Sequence, residues 1–192
     1  MKKILWIDVE TTDSDTKRGG GIHQISYILE VGGKVVCERE FKMHPFKNDL
    51  INAKSLAVCK LTYDDILKYP HPTEAFKQLV NDIAPYKKVV LGGFNNSIFD
   101  NPYFQSWWFK CTNDLGRREI NLIDYIHFDA LDVRVLAVNH FLEQRDEIKS
   151  FKLMDVARLV GIEVDEEKLH DAKYDIELTR DIYYRITNAQ AK

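Results

Sequence analysis

The segment KILWIDVETT, residues 3–12, decides the fold, because a nearly unbroken apolar run up to Ile7 gives way abruptly to carboxylates. Such a run is typical of a central strand that is covered on both faces. Asp8 and Glu10 stand two residues apart, and side chains at that spacing on a strand point to the same face. The segment therefore predicts a buried strand that carries two carboxylates to one side of a sheet, near the C-terminal end of the strand.

The rest of the chain predicts an α/β fold around this strand. Two extended segments, residues 22–31 and 34–43, flank Gly32-Gly33 and indicate an antiparallel hairpin, and residues 89–94 indicate a second inner strand. Apolar spacing and helix-boundary residues predict the helical segments, which are short helices within 53–69 and longer helices over 73–83, 99–109, 130–142, 152–160 and 172–187. This order predicts a mixed sheet flanked by helices.

Composition bounds the class of protein. The 192 residues are 45% hydrophobic and 30% charged, which suits one globular domain over residues 1–192. The net charge of −3 argues against a protein that coats duplex DNA through a broad basic surface. Three scattered cysteines, Cys37, Cys59 and Cys111, form no CxxC pair, and the apolar runs are too short for a membrane span. We therefore expect a protein of the reducing cytoplasm with no membrane partner.

Two local features have simple structural interpretations. Gly19-Gly20-Gly21 lacks the Gly-Lys-Ser/Thr sequence of a phosphate loop and is predicted to be a flexible connection, with His23 close enough to approach a substrate. Phe104 and Trp108 could stack on unpaired bases, but their helical spacing favours a place in the core.

Two further acidic positions join the pair on the first strand. Asp100 follows the second inner strand and a GGFNNS turn, where it either faces the same crevice or caps the next helix. His170 and Asp175 are five residues apart, which is not one helical face. Both reach one site only if His170 lies in the loop before the last helix and Asp175 lies one turn inside it. A lone histidine there would more often be structural.

The combination of these residues points to metal-assisted hydrolysis. Four carboxylates from strand ends and the last helix supply oxygen ligands for two hard cations, and an adjacent histidine supplies a general base. Magnesium or manganese suits this donor set, whereas zinc prefers Cys and His ligands.

With these residues, the sequence resembles the DnaQ-like 3′-to-5′ exonucleases, in the subclass with four acidic residues and a histidine. Residues 7–12 (IDVETT) are similar to the first motif of that family, residues 96–100 (NSIFD) to the second, and residues 170–175 (HDAKYD) to the third. The motifs occur in the family order and span nearly the whole chain. One departure is Asn95, where a histidine often precedes the asparagine of the second motif, and this departure concerns substrate contacts.

The resemblance implies a ribonuclease H-like fold, with a mixed five-stranded sheet flanked by helices, and a metal-dependent exonuclease acting on nucleic acid 3′ ends. It implies that Asp8, Glu10 and Asp175 hold one of two Mg²⁺ or Mn²⁺ ions, that Asp8 and Asp100 hold the other, and that His170 is the general base. The residues that the resemblance suggests for binding the terminal nucleotide are Thr11 and Thr12, through their backbone amides, and Asn96.

Three alternative functions are compatible with a ribonuclease H-like fold. An endonuclease would use a carboxylate cluster without a histidine five residues before the last acid, so His170 argues against it. A catalytically silent nucleic-acid-binding module would be expected to lack one of the carboxylates. A polymerase-bound proofreading subunit is disfavoured because the last predicted helix leaves little chain for a polymerase-binding tail. The choice between DNA and RNA stays open, as does the oligomeric state, with a homodimer as one alternative.

Overall fold

Five strands form one mixed sheet at the centre of the computed structural model, which describes residues 1–190. The strands are β1 (Lys3–Thr11), β2 (Ile22–Val31), β3 (Lys34–Lys42), β4 (Val89–Gly93) and β5 (Ile126–Asp132). Their order is β3-β2-β1-β4-β5, and β1 pairs antiparallel with β2 and parallel with β4. The predicted central position of the first strand and the predicted mixed sheet are both confirmed.

Eight helices cover the sheet and connect its strands. They are α1 (Ala53–Val58), α2 (Tyr63–Ile66), α3 (Pro72–Ile83), α4 (Asp100–Asp114), α5 (Leu122–Tyr125), α6 (Val133–His140), α7 (Leu153–Leu159) and α8 (Ala172–Gln190), all within the part of the chain that the structure describes. Single 3₁₀ turns occur at Thr16–Arg18, Leu142–Gln144 and Glu166–Lys168.

The two faces of β1 are buried under different helices, as its unbroken apolar sequence predicts. Leu5 and Ile7 lie in a core with Phe104 and Trp108 from α4, so the predicted core role of these two aromatic residues is confirmed. Trp6 lies in a second core, which α6, α7 and α8 complete. Because Asp8 and Glu10 continue the alternation of Trp6, both carboxylates extend from the face that α8 covers.

The hairpin between β2 and β3 closes as predicted at Gly32-Gly33. Both glycines have positive φ angles, 60° and 81°, which residues with a Cβ adopt only with strain. The turn places Val31 opposite Lys34, and β3 becomes the exposed edge of the sheet.

The region around residue 130 differs from the prediction. Residues 130–132 finish strand β5, and α6 begins only at Val133, so the helix predicted over 130–142 starts three residues too early and the preceding strand has no counterpart in the segment prediction. β5 is an edge strand, and its residues 127–130 are exposed without alternation. Asp132 then caps α6 by accepting from the Arg134 backbone N–H at 3.0 Å.

Gly20 and Gly21 of the triple glycine are buried and closely packed, which corrects the prediction of a flexible connection, whereas Gly19 is exposed. The Thr12 N–H donates to the Gly21 carbonyl at 2.9 Å, and a Cβ on Gly20 would come within 2.9 Å of the Asp13 Cβ. His23 is fully buried on β2, and burial lowers the pKa of its imidazole to about 4, with Lys42 adding to the effect. Its ring therefore faces the protein interior and is withdrawn from any substrate.

No helix within residues 1–190 combines the length and the apolar character that a membrane span requires.

Candidate active site

One open cleft of about 990 Å³ brings together the five residues that the sequence predicts as the reaction centre. Its acidic and histidine lining comes from β1, the first turn of α4 and the segment that enters α8, and consists of Asp8, Glu10, Asp100, His170 and Asp175. The cleft lies where β1 and β4, which run parallel, both end, and this is where ligands collect in open α/β sheets.

The second inner strand leads to Asp100, the first residue of α4. The side chain is 3% exposed, and its Oδ1 accepts from the Val9 backbone N–H at 3.1 Å. The α4 residue is thereby joined directly to β1, between the two strand carboxylates. Asp100 thus contributes to the cleft and ties the start of α4 to β1, whereas the helix-capping alternative is wrong, because α4 begins without a side-chain cap hydrogen bond.

His170 and Asp175 occupy the positions that their spacing requires. His170 lies in the loop before α8 with a left-handed φ of 66°, and Asp175 lies in the first turn of that helix. The His170 backbone N–H donates to Asp175 Oδ2 at 3.2 Å, which fixes the carboxylate. One potential ligand atom from each of Glu10, His170 and Asp175 lies within 4.8 Å of the others.

Burial and mutual repulsion disfavour the charged forms of the carboxylates. Burial raises the pKa of Glu10 to about 8, an effect that the Cys59 thiol opposes and the carboxylates of Asp175 and Asp100 reinforce. Burial likewise raises the pKa of Asp100 and of Asp175 to about 7. The pKa of Asp8 is raised well above its usual value, first by burial and then by Asp100 and Glu10. Ionisation of these carboxyl groups therefore destabilises the folded protein when no cation is bound.

The donor set fits a hard divalent cation. Asp175 Oδ1 is buried without a hydrogen-bond partner among the described residues, although its other oxygen is held by His170. An unpaired buried carboxylate oxygen is costly, and a cation would satisfy it while relieving the repulsion among its neighbours. Carboxylate oxygens are the ligands that Mg²⁺ and Mn²⁺ favour.

The three residues predicted to hold the terminal nucleotide are placed differently from one another. Thr11 lines the cleft. Thr12 lies outside the lining, and its amide is occupied by the Gly21 carbonyl. Asn96 is fully buried behind the cleft, where its Nδ2 donates to Asn101 Oδ1 at 3.4 Å, and Asn95 takes the place on the cleft wall.

Several residues in or beside the cleft have no counterpart in the sequence prediction. Cys59, at the end of α1, donates from Sγ to Glu10 Oε2 at 3.1 Å, although a single thiol outside any CxxC pair gives no sequence signal. Phe94, Arg134 and Phe151 also line the cleft. They come from three segments of the chain that the packing of α6 and α7 brings together with Phe94. No local sequence pattern predicts that these segments are neighbours.

The comparisons with known proteins relate both the sequence and the fold to nucleases. The model of the exonuclease family RNase_T matches residues 5–183. No protein among curated sequences matches at a significant level.

Solved structures of exonuclease I share the fold over the whole chain. The zinc-bound complex of the Escherichia coli enzyme with single-stranded DNA has a TM-score of 0.76 and 17% identity, with 100% of this chain and 42% of that chain covered. The moderately thermophilic enzyme from Methylocaldum szegediense has a TM-score of 0.76 and 15% identity, with the same coverage. This chain therefore spans less than half the length of those proteins. The likeness establishes the ribonuclease H-like sheet and its flanking helices.

Proposed function

Because the chain belongs to the RNase_T exonuclease family, we propose that it removes nucleotides one at a time from the 3′ end of single-stranded nucleic acid. The observation that carries the proposal is the meeting of four carboxylates and His170 in one cleft, with a buried Asp175 oxygen that lacks a partner among the described residues. We assign this activity to a single domain over residues 1–192.

Each residue of the centre has a separate role in the proposal. Asp8, Glu10 and Asp175 would hold one divalent cation, and Asp8 and Asp100 would hold a second. When bound, two such ions activate water and offset the charge of the reacting phosphate. His170 is exposed at the cleft, next to Glu10 and Asp175, and its imidazole takes the proton of the attacking water.

Features of the cleft wall support a single-stranded substrate. Phe94 and Phe99, both half-buried, line the same cleft as the carboxylates, whereas Phe151 belongs to the buried core and is only 7% exposed. Aromatic rings bind unpaired bases by stacking, which a paired duplex does not allow. The exonuclease I of E. coli, which shares the fold, has been seen with single-stranded DNA, so a DNA strand is the first substrate to test.

The direction and mode of cleavage are tested with end-labelled strands of DNA and RNA, side by side, with Mg²⁺, with Mn²⁺ and with EDTA. We expect successive shortening from the 3′ end, slow cutting when the 3′ hydroxyl is phosphorylated, and no cutting in EDTA. Cleavage of a closed circular strand at the same rate would show an endonuclease and contradict the proposal.

The residue assignments are tested with Asp8→Ala, Glu10→Ala, Asp100→Ala and Asp175→Ala. Each variant is expected to lose hydrolysis while remaining folded, because removal of one carboxylate relieves repulsion in the metal-free protein. Near-normal turnover of any one variant at saturating Mg²⁺ would remove that residue from the ligand set.

We also place the protein in a reducing compartment, as expected for the cytoplasm. Cys37, Cys59 and Cys111 are all unpaired, and the Cys111 thiol is buried. Separation of cell fractions followed by detection of the protein tests this location.

A further inference from the structure

An arginine on the cleft wall is held in place without a neutralising carboxylate. The Arg134 side chain donates from Nη1 to Asn95 Oδ1 at 3.0 Å and from Nε to the Phe151 carbonyl at 3.3 Å. Both acceptors are neutral. Within residues 1–190, no carboxylate oxygen lies within 4.0 Å of its guanidinium. The positive charge of Arg134 therefore remains available to a ligand.

The surrounding backbone fixes this guanidinium. Asp132 Oδ1 accepts from the Arg134 backbone N–H at 3.0 Å and from the Asn95 backbone N–H at 2.9 Å, so the start of α6 and the turn after β4 share one anchor. Asn95 itself has a left-handed φ of 60°. An arginine has five N–H donors, of which two are used here, so three have no partner among the described residues. Because these hydrogen bonds already order the side chain, it loses little further conformational entropy when a ligand binds.

The charge distribution of the cleft indicates which ligand would use these donors. Asp8, Glu10, Asp100 and Asp175 line the cleft together with three cations, Lys54, Arg134 and Lys152. A guanidinium fork matches the oxygens of a phosphate in geometry and in charge. Each contact between such a cation and a phosphate adds to the affinity for a polyanionic strand.

We propose that Arg134 binds one internal phosphate of the nucleic-acid strand, separate from the phosphate that is cut, and thereby sets where the strand lies in the cleft. The proposal rests on the proposed function, because it takes the strand as the ligand of this cleft. A purely mechanical role, in which Arg134 only joins the Asn95 turn to residue 151, is the alternative that the experiment must exclude.

The test uses oligonucleotides in which a single uncharged methylphosphonate replaces one internucleotide linkage, moved one position at a time. Binding is measured by fluorescence anisotropy on an Asp175→Asn background, where hydrolysis is expected to stop. With Arg134 present, we expect neutralisation of one particular linkage to weaken binding about tenfold. In Arg134→Gln, binding of the unmodified strand should weaken about tenfold, and the same linkage should have no further effect.

A salt titration provides a second measurement. Loss of one phosphate contact on a single strand lowers the slope of log affinity against log salt by about 0.7. The matched control is Arg118→Gln, since Arg118 also donates to an asparagine, Asn113 Oδ1, at 3.1 Å but lies outside the cleft lining. This control should retain the affinity, the slope and the sensitive linkage.

Two outcomes overturn the inference. One is unchanged affinity in Arg134→Gln, and the other is weaker binding in which every linkage keeps its full separate effect, as a mechanical role would give. If Arg134→Gln does not fold, Arg134→Lys replaces it, and a linkage effect as large as that of the arginine protein would contradict fork binding. Failure of the unmodified protein to cut any strand overturns the proposed function alone, because the binding measurements need no hydrolysis.

Discussion

Replacement of Asp100 by asparagine should stabilise the metal-free protein in a pH-dependent way. The side chain is 3% exposed, and burial, reinforced by Asp132 and Asp175, raises its pKa from 3.8 to about 7. At 1.36 kcal/mol per unit, this rise corresponds to ~4 kcal/mol at full ionisation. Water in the open cleft screens part of this cost, so we expect Asp100→Asn to raise the free energy of unfolding by about 2 kcal/mol at pH 8. The asparagine Oδ1 still accepts from the Val9 N–H.

The sign of the pH dependence follows from the direction of the shift. A carboxyl whose pKa is higher in the folded state favours folding while it is protonated, and that contribution is lost as the pH rises through the folded pKa. The advantage of Asp100→Asn should therefore be small at pH 4, grow between pH 4 and 7 and level off above pH 7. Urea unfolding in EDTA across this range measures it.

Metal addition should reverse the order of stability. A cation that binds only the folded state stabilises it by about 2.7 kcal/mol at one hundred times its dissociation constant. Mg²⁺ should give the unmodified protein this gain and Asp100→Asn much less. The control is Asp146→Asn at an exposed position, which should change stability by less than about 0.5 kcal/mol at any pH. If Asp100→Asn is no more stable than the unmodified protein at pH 8 in EDTA, the repulsion argument is wrong.

His170→Ala should slow single-turnover hydrolysis by about 10²- to 10⁴-fold while calorimetry shows nearly unchanged Mn²⁺ affinity; a lost affinity without a separate loss of rate would make His170 a ligand. Cys59→Ala should weaken Mn²⁺ binding about tenfold, because the thiol orients Glu10, and Cys59→Ser should recover most of it; equal affinities in calorimetric titrations would argue against that role. Gly21→Ala should destabilise by ~1–3 kcal/mol in urea unfolding, since its Cβ would overlap the Asp49 carboxylate, and an unchanged midpoint would contradict the close packing.

The sequence predicts which acidic residues meet in the cleft better than it predicts the residues of the cleft wall. Alternation on β1 fixes the side on which Asp8 and Glu10 emerge, and a break in helical spacing places His170 in the loop before α8, so local rules suffice for both. The resemblance to DnaQ-like exonucleases is confirmed by the family match. Strand β5 escapes prediction because an exposed edge strand lacks the alternation that burial imposes. The pairing of Thr12 with Gly21 depends on tertiary packing, which no pattern in the sequence reports.

The separation of Asp8 and Asp175 along the chain has a consequence for motion. Asp8 lies near the C-terminal end of the first strand and Asp175 in the first turn of the last described helix, so a cation shared between them would act as a removable cross-link between two segments far apart in the chain. A cross-link that closes a long loop restricts the unfolded chain more than one that closes a short loop. Amide hydrogen exchange in the first turn of α8 should therefore slow when Mn²⁺ is added and speed up again with EDTA, so that the metal content of the cleft sets how often this helix opens.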